Sequence, residues 1–208
     1  MSSENKGFFK KYIKKRLKNG YWWFYGPALK NPRLPVDPGS LLFICKGNVC
    51  RSVFAQGLAV KMAGEREISI AVFDSAGLEV SRAISPPQEA LIAAREFGVI
   101  LDDYRSKSIS RAIVGSFDMV IAMETRQLKV LGRLFPEQRD RFFLLALFDK
   151  DNSNSNDFYS MYNIEDPFGK DLPQFRGCYE RIEKCLADFF CQLSGVAEKL
   201  EKEERKYD

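Results

Sequence analysis

Four short apolar runs, each followed by a stretch of helical periodicity, constrain this chain more than any other feature. Leu41–Cys45 precedes Ser52–Ala63, and Ile68–Phe73 precedes a pattern from Gln88 to Phe97. Phe117–Ala122 precedes Thr125–Leu134, and Phe142–Leu147 precedes a long pattern opening at Asp171. Leu41-Leu-Phe-Ile-Cys45 has no polar residue, which is how a strand buried on both faces reads. The helical stretches carry their own punctuation. Gly64 and Gly98 stop the first two, Ser85-Pro86-Pro87-Gln88 combines a capping box with proline in the first turn, and Pro136 stops the third. The last places Phe175, Cys178, Ile182, Cys185, Phe189 and Leu193 on one face. Strand and helix alternating in this order predict an α/β domain: three layers, with a four-stranded parallel twisted sheet and helices on both faces. Asp149–Tyr162, rich in Ser and Asn, reads as a surface loop.

The sequence ahead of the first run is of another kind. Phe8–Gly26 reads FFKKYIKKRLKNGYWWFYG, with Phe9, Ile13 and Leu17 at helical spacing among lysines, a short basic amphipathic pattern. The aromatic run Tyr21–Tyr25 leads into Gly26-Pro27 rather than a small-residue cleavage site, so the segment is read as retained. Asn31–Gly39 is a linker punctuated by prolines. The expected organisation is an extension and linker over 1–39, one domain over 40–200, and a charged tail over 201–208. Residues 1–39 hold nine Lys/Arg against Glu4 and Asp37, a balance of +7, whereas the whole chain is +4. The body is therefore mildly acidic, which excludes a general nucleic-acid footprint. Two readings of residues 6–26 stand: docking on an anionic membrane surface or acidic partner, or packing of the aromatics on the domain's own flank with the lysines solvated. No apolar stretch approaches the ~20 residues of a bilayer span. The expected location is cytoplasmic, peripheral to the membrane if the arm docks.

There is no histidine among the 208 residues, which removes histidine-based triads, histidine-ligated zinc and a histidine general base. Five cysteines include no Cys-x-x-Cys pair, and no metal or other cofactor is expected. Cys178, Cys185 and Cys191 recur in the apolar pattern of the last helix and read as buried structural thiols, in keeping with a reducing cytosol.

Cys45 and Cys50 differ, because the loop Cys45-Lys46-Gly47-Asn48-Val49-Cys50-Arg51-Ser52 joins a strand directly to a helix. In sheets of this kind ligands bind beyond the carboxyl ends of the strands. A tight loop entering a helix points successive N–H groups inward, making an anion nest, and Gly47 and Asn48 tolerate the left-handed backbone such a nest needs. Arg51 grips two phosphate oxygens with its planar fork. A cysteine at the loop's mouth is favoured as thiolate by those groups, with Ser52 as a hydrogen-bond donor to it. A thiolate beside a bound phosphoester is placed for in-line phosphoryl transfer. The plainer reading is a buried cysteine ending a strand, with Arg51 on a solvated helix face. A Walker loop is excluded, since no Gly-Lys-Ser/Thr follows.

With this loop, Ser75-Ala76-Gly77, Phe117-Asp118-Met-Val-Ile-Ala-Met123 and Asp166-Pro167, the chain over residues 40–194 resembles the low-molecular-weight protein tyrosine phosphatase family. The resemblance implies Cys45 as nucleophile, Arg51 and the loop from Lys46 to Ser52 as phosphate cradle, Asp166 as general acid, and Asn48 with Ser75 bracing the loop. Asp166 also fits on chemical grounds: the leaving oxygen needs a proton, and without histidine a carboxyl must supply it. Read without the resemblance, Glu165-Asp166-Pro167 is a turn before the last helix.

Some residues depart from the family. Tyr104 stands where a histidine often braces the loop asparagine, so the bracing runs through its hydroxyl or is lost. Leu78–Ile84 lacks the usual aromatic, and Phe168-Gly169 replaces two tyrosines in a form shared with phosphoarginine phosphatases. That branch has a threonine where Val49 stands, and an apolar Val49 offers no hydroxyl for attack on a P–N bond. Lys46 beside the nucleophile is positioned to recruit an anionic substrate. The expected function is a phosphomonoester hydrolase, a metal-independent protein tyrosine phosphatase working through phosphocysteine on phosphotyrosine protein substrates. The alternatives are a protein arginine phosphatase, or a non-catalytic phosphate-binding or membrane-associated module. A sister activity, thiol-coupled arsenate reduction, needs relay cysteines that are missing between Cys50 and Cys178. A reversible Cys45–Cys50 disulfide under oxidation is also expected.

Overall fold

The computed structural model describes residues 19–151 and 157–204, the side chains of 197–204 excepted. The expected amphipathic pattern over Phe8–Leu17 and the last four residues of the charged tail lie outside them.

Four parallel strands form one sheet in the order β2-β1-β3-β4: β1 Ser40–Cys45, β2 Val72–Gly77, β3 Met119–Ala122 and β4 Phe142–Leu144. The helices are α1 Arg51–Glu65, α2 Gln88–Glu96, α3 Arg111–Gly115, α4 Thr125–Leu134, α5 Phe158–Tyr162 and α6 Leu172–Glu204. Helix α6 continues through the expected boundary at residue 200.

The two faces of β1 show why its run has no polar residue. Leu41, Phe43 and Cys45 point into a core shared with α1, α2 and α6, while Leu42 and Ile44 point into a second core beneath α4. Every residue from Leu41 to Cys45 is buried. Phe54 of α1 stacks on Tyr179 of α6 with ring centroids 3.7 Å apart. The expected three-layer α/β architecture is the one found. Because β2 and β3 leave β1 on opposite sides, the loop after β1 emerges where strand order reverses.

Three elements differ from expectation. The second strand begins at Val72 instead of Ile68, with Ser40 opposite Val72 and Cys45 opposite Gly77. Ile68 and Ile70 pack against the core from a turn after α1, so their apolar pattern reflects cover and not the ladder. The fourth strand stops at Leu144, and Leu145–Phe148 coils into a 3-10 turn. Within the expected surface loop, Phe158–Tyr162 is helical, with the Asp157 side chain accepting from the Tyr159 amide. Cys191 is exposed, not buried, because it falls outside the core-facing stripe that holds Cys178 and Cys185.

The aromatic run divides between the two readings of the arm. Residues 19–25 are helical, and Trp22 is buried against Tyr162, ring centroids 5.7 Å apart. Gly26 lies so close to that tyrosine that a Cβ would sit 2.1 Å from its ring. Tyr21, Trp23, Phe24 and Tyr25 are exposed. Asn31 then borders the edge strand, donating to the Leu144 carbonyl at 3.2 Å and accepting from its amide at 2.7 Å, a side-chain substitute for a further ladder rung.

Candidate active site

Strand β1 ends at Cys45 and α1 begins at Arg51, so five residues turn the chain through the loop. Asn48 takes the left-handed conformation at φ 54°, while Gly47 does not. The turn swings the Asn48 amide back onto Cys45, donating to Sγ at 3.1 Å, and the Ser52 hydroxyl donates to the same sulfur at 3.0 Å. Two donors on one sulfur stabilise it when it carries negative charge.

Asn48 is fully buried and every polar atom of its side chain is used. Its Nδ2 donates to Ser52 Oγ at 3.0 Å and Ser75 Oγ at 2.9 Å. Its Oδ1 accepts from Tyr104 Oη at 2.7 Å and from the Lys107 amide at 2.9 Å. Tyr104 also meets Ser75 Oγ at 2.8 Å, so the bracing does run through the tyrosine hydroxyl. Burial pushes the Tyr104 phenol up, its contacts with Ser75 and Asn48 notwithstanding, and it stays a neutral donor to Asn48. Ser75 donates to Gln56 Oε1 at 2.8 Å, a partner not anticipated from the sequence. Gly77 completes the frame: a Cβ there would come within 3.0 Å of the loop backbone at Gly47 and Asn48.

Arg51 is 1% exposed, among the largest side chains so fully buried in the described residues, and not on a solvated helix face. It is ion-paired to Glu124, donates to the Ile164 carbonyl at 2.9 Å, and meets Asp166 Oδ2 at 2.7 Å. Burial alone would lower its pKa, but the facing Cys45 sulfur, Asp166 and Glu124 outweigh it and hold the guanidinium charged. Its Nε is buried with no hydrogen-bond partner among the described residues. Such an orphan donor is costly unless an incoming acceptor takes it.

Glu124, one position past Met123, carries no signal in the sequence that marks it as part of the site. It sits at the turn after β3, where Gln127 Oε1 accepts from the Met123 and Glu124 amides at 2.9 and 3.1 Å. Arg126 Nε at 3.0 Å and Tyr159 Oη at 3.2 Å hold its other oxygen. Burial pushes the carboxyl up, but Arg51 and then Arg126 outweigh that, and it is held below its ordinary value of 4.5. A depressed folded value means that ionised Glu124 contributes stability above pH 4.5, which is lost as pH falls through the depressed value. Glu124→Gln is therefore expected to cost about 3 kcal/mol at neutral pH, the low end for breaking a buried pair because Arg51 keeps Asp166 and a carbonyl. Urea melts should show the gap between wild type and variant narrowing only well below pH 4.5.

A cleft of about 380 Å³ opens over the sulfur. Its floor is Cys45, Gly47, Val49, Cys50 and Arg51, with Asp166 and Phe168 on one wall and Val80, Arg82 and Ile84 on the other. Lys46 lies at the rim, 3.4 Å from Glu79, half-exposed and tied sideways. Phe168 is 58% exposed and is the only aromatic of the lining among the described residues. Among the described residues no cluster of His, Cys, Asp or Glu is arranged to hold a metal ion. In α6, burial pushes Cys178 up to about 12 and Cys185 up to about 11, as inert packing thiols.

Residues 40–206 match the family model for low molecular weight phosphotyrosine protein phosphatase. The chain belongs to that family. It is 26% identical over 155 residues to the probable low molecular weight protein-tyrosine-phosphatase AmsI of Erwinia amylovora, covering 74% of this chain and 97% of the relative. Wzb of Escherichia coli K12, a low molecular weight protein-tyrosine-phosphatase, is 26% identical over 145 residues, covering 70% and 88%. The structure of the YwlE arginine phosphatase from Geobacillus stearothermophilus superposes with a TM-score of 0.59 at 25% identity, covering 82% of this chain and 98% of that one. The chain is thus a phosphatase of this family, with phosphoprotein substrates. Among its described residues no helix is long and apolar enough to cross a membrane.

Proposed function

We propose that this phosphatase hydrolyses phosphotyrosine in proteins through a phosphocysteine on Cys45. The observation that carries the reading is the orphan Nε of Arg51, buried beside a sulfur that already accepts two hydrogen bonds. An entering phosphate dianion takes that donor, and the amides between Gly47 and Ser52 serve as further donors. Arg51 exchanges its contact with Asp166 for the second fork to phosphate, leaving Asp166 free at the cleft wall. Cys45 Sγ then attacks phosphorus in line, the P–O bond to the leaving group breaks, and Asp166 protonates the departing oxygen. In the second half, Asp166 takes a proton from water, water oxygen attacks phosphorus, and the S–P bond breaks to give inorganic phosphate. Ser52 stabilises the departing thiolate in that step.

Substrate class follows from the cleft wall. Val49 is buried on the floor and brings no hydroxyl to a P–N bond, while Phe168 offers a face for an aromatic ring. Phosphotyrosine and phosphoarginine peptides of one sequence, supplied together and followed by mass spectrometry, test this. The expected result is at least tenfold faster loss of phosphotyrosine, about 1.4 kcal/mol of discrimination. Faster loss of phosphoarginine would assign the other branch.

Cys50, buried in the loop, is proposed to resolve an oxidised Cys45. The Cys45 thiolate attacks one peroxide oxygen, the O–O bond breaks to give sulfenic acid and hydroxide, and the Cys50 thiol then displaces water from the sulfenic acid to form the disulfide. Burial, then Cys45, pushes the Cys50 thiol well up, so it waits as a protonated thiol until sulfenic acid forms. After mild peroxide and then dithiothreitol, wild type should regain most of its activity and Cys50→Ser much less. Equal recovery would remove the protective role.

A further inference from the structure

We propose that the edge of the domain bordering β4 is a docking surface for an anionic lipid bilayer, built from a cationic cleft and the exposed aromatics of the 19–25 helix. The cleft, about 420 Å³, is lined by Lys30 of the linker, Lys129 and Arg133 of α4, and Arg139 of the following 3-10 stretch. All four are exposed, and none makes an ion pair among the described residues. Arg139 donates to the Gly132 carbonyl at 3.0 and 2.8 Å, which leaves its charge unmatched by any carboxylate. Of the two acids of that 3-10 stretch, Glu137 is already paired with Arg111, and the exposed Asp140 makes no ion pair among the described residues.

The same edge carries the apolar half of the surface. Trp22 anchors the 19–25 helix onto Tyr162, and Asn31 fastens the linker to β4. This anchoring leaves Trp23 at 64% and Phe24 at 69% exposure, with Tyr25 beside them. Large aromatics held outward by a fixed neighbour are what a headgroup region accepts. Charge selects the partner. Seven Lys/Arg between Lys6 and Lys18 precede this helix in the sequence, and the linker and cleft add further cations, against a body that is net acidic. A polybasic segment next to interfacial aromatics suits an anionic leaflet. The cleft lies along α4 and the start of β4, toward the amino-terminal ends of the strands and away from Cys45, whereas the 19–25 helix packs through Trp22 on Tyr159, whose hydroxyl donates to Glu124 beside Arg51.

Flotation of the full-length protein with phosphatidylcholine vesicles, with and without 30% phosphatidylglycerol, tests the surface. Wild type should float only with the anionic vesicles, and raising the salt should release it. Lys129→Ala/Arg133→Ala should weaken partitioning by about thirtyfold, since each cation near an anionic leaflet contributes about a factor of five. Trp23 is the only exposed one of two tryptophans, so its fluorescence should shift to the blue on binding, and Trp23→Ser/Phe24→Ser should abolish both shift and flotation. Turnover of p-nitrophenyl phosphate by these variants should equal wild type. The proposal is overturned if wild type fails to float, if neutral vesicles bind it equally, or if Lys129→Ala/Arg133→Ala floats as well as wild type. Capture by an acidic polypeptide without flotation would overturn it too.

Discussion

Cys45→Ser is expected to lose p-nitrophenyl phosphate turnover by about 10⁴-fold or more, because a serine hydroxyl in this ring of donors has no base to activate it. The loss will not be one of folding. Cys45 is buried, but its sulfur only accepts, from the Asn48 amide and the Ser52 hydroxyl, and a serine oxygen accepts the same two bonds. The melting temperature of the variant should therefore match wild type within a few degrees. EDTA should change neither protein. Thermal scans beside initial rates check both halves of this expectation.

Asp166→Asn should show the second largest effect, and its size should depend on the substrate. With a poor leaving group the first step needs a proton, and kcat/KM, which reports phosphocysteine formation, should fall by roughly 10²–10⁴-fold, the range for general acid catalysis. With p-nitrophenol, which departs as the anion, the fall in kcat/KM should be far smaller. The variant has a further signature. Asp166 lies 2.7 Å from Arg51 Nη2 and competes with phosphate for it, so removing the carboxylate charge should tighten inhibition by inorganic phosphate. A uniform loss across leaving groups with unchanged phosphate affinity would assign Asp166 a merely structural place in its turn.

Much of this was legible in the chain, for local reasons. The strand, loop and helix around Cys45 are contiguous, and Cys45, Asn48, Arg51 and Ser52 reach one another within eight residues of sequence. Asp166 was singled out on chemistry, since a leaving group needs an acid and histidine is absent; the structure sets it 2.7 Å from Arg51 Nη2, and its acid role belongs to the proposed mechanism. What escaped reading depends on register. Ser75 was named through the resemblance alone; it and Gly77 fall beside the loop because β2 pairs from Val72, while two isoleucines ahead of it imitate a strand. Glu124 and Gln56 are ordinary polar residues in sequence, and their partners, Arg51 and Ser75, come from other elements. Tyr104 could be placed from the family pattern, but the choice between a working and a lost brace required the 2.7 Å contact to Asn48. Cys191 follows the apolar pattern of α6 and yet faces out, since periodicity fixes a stripe only to within a residue or so at its margin.

The covalent intermediate is the centre of the account, and trapping it is the most direct measurement. Wild-type enzyme turning over a phosphotyrosine peptide is quenched in acid within milliseconds, digested, and mapped by mass spectrometry for phosphate. One phosphate is expected on the sulfur of Cys45, absent in Cys45→Ser and more abundant when water attack is slowed in Asp166→Asn with p-nitrophenyl phosphate. Turnover in full with no phosphate on Cys45 at any quench time, or phosphate carried on another residue, would contradict it.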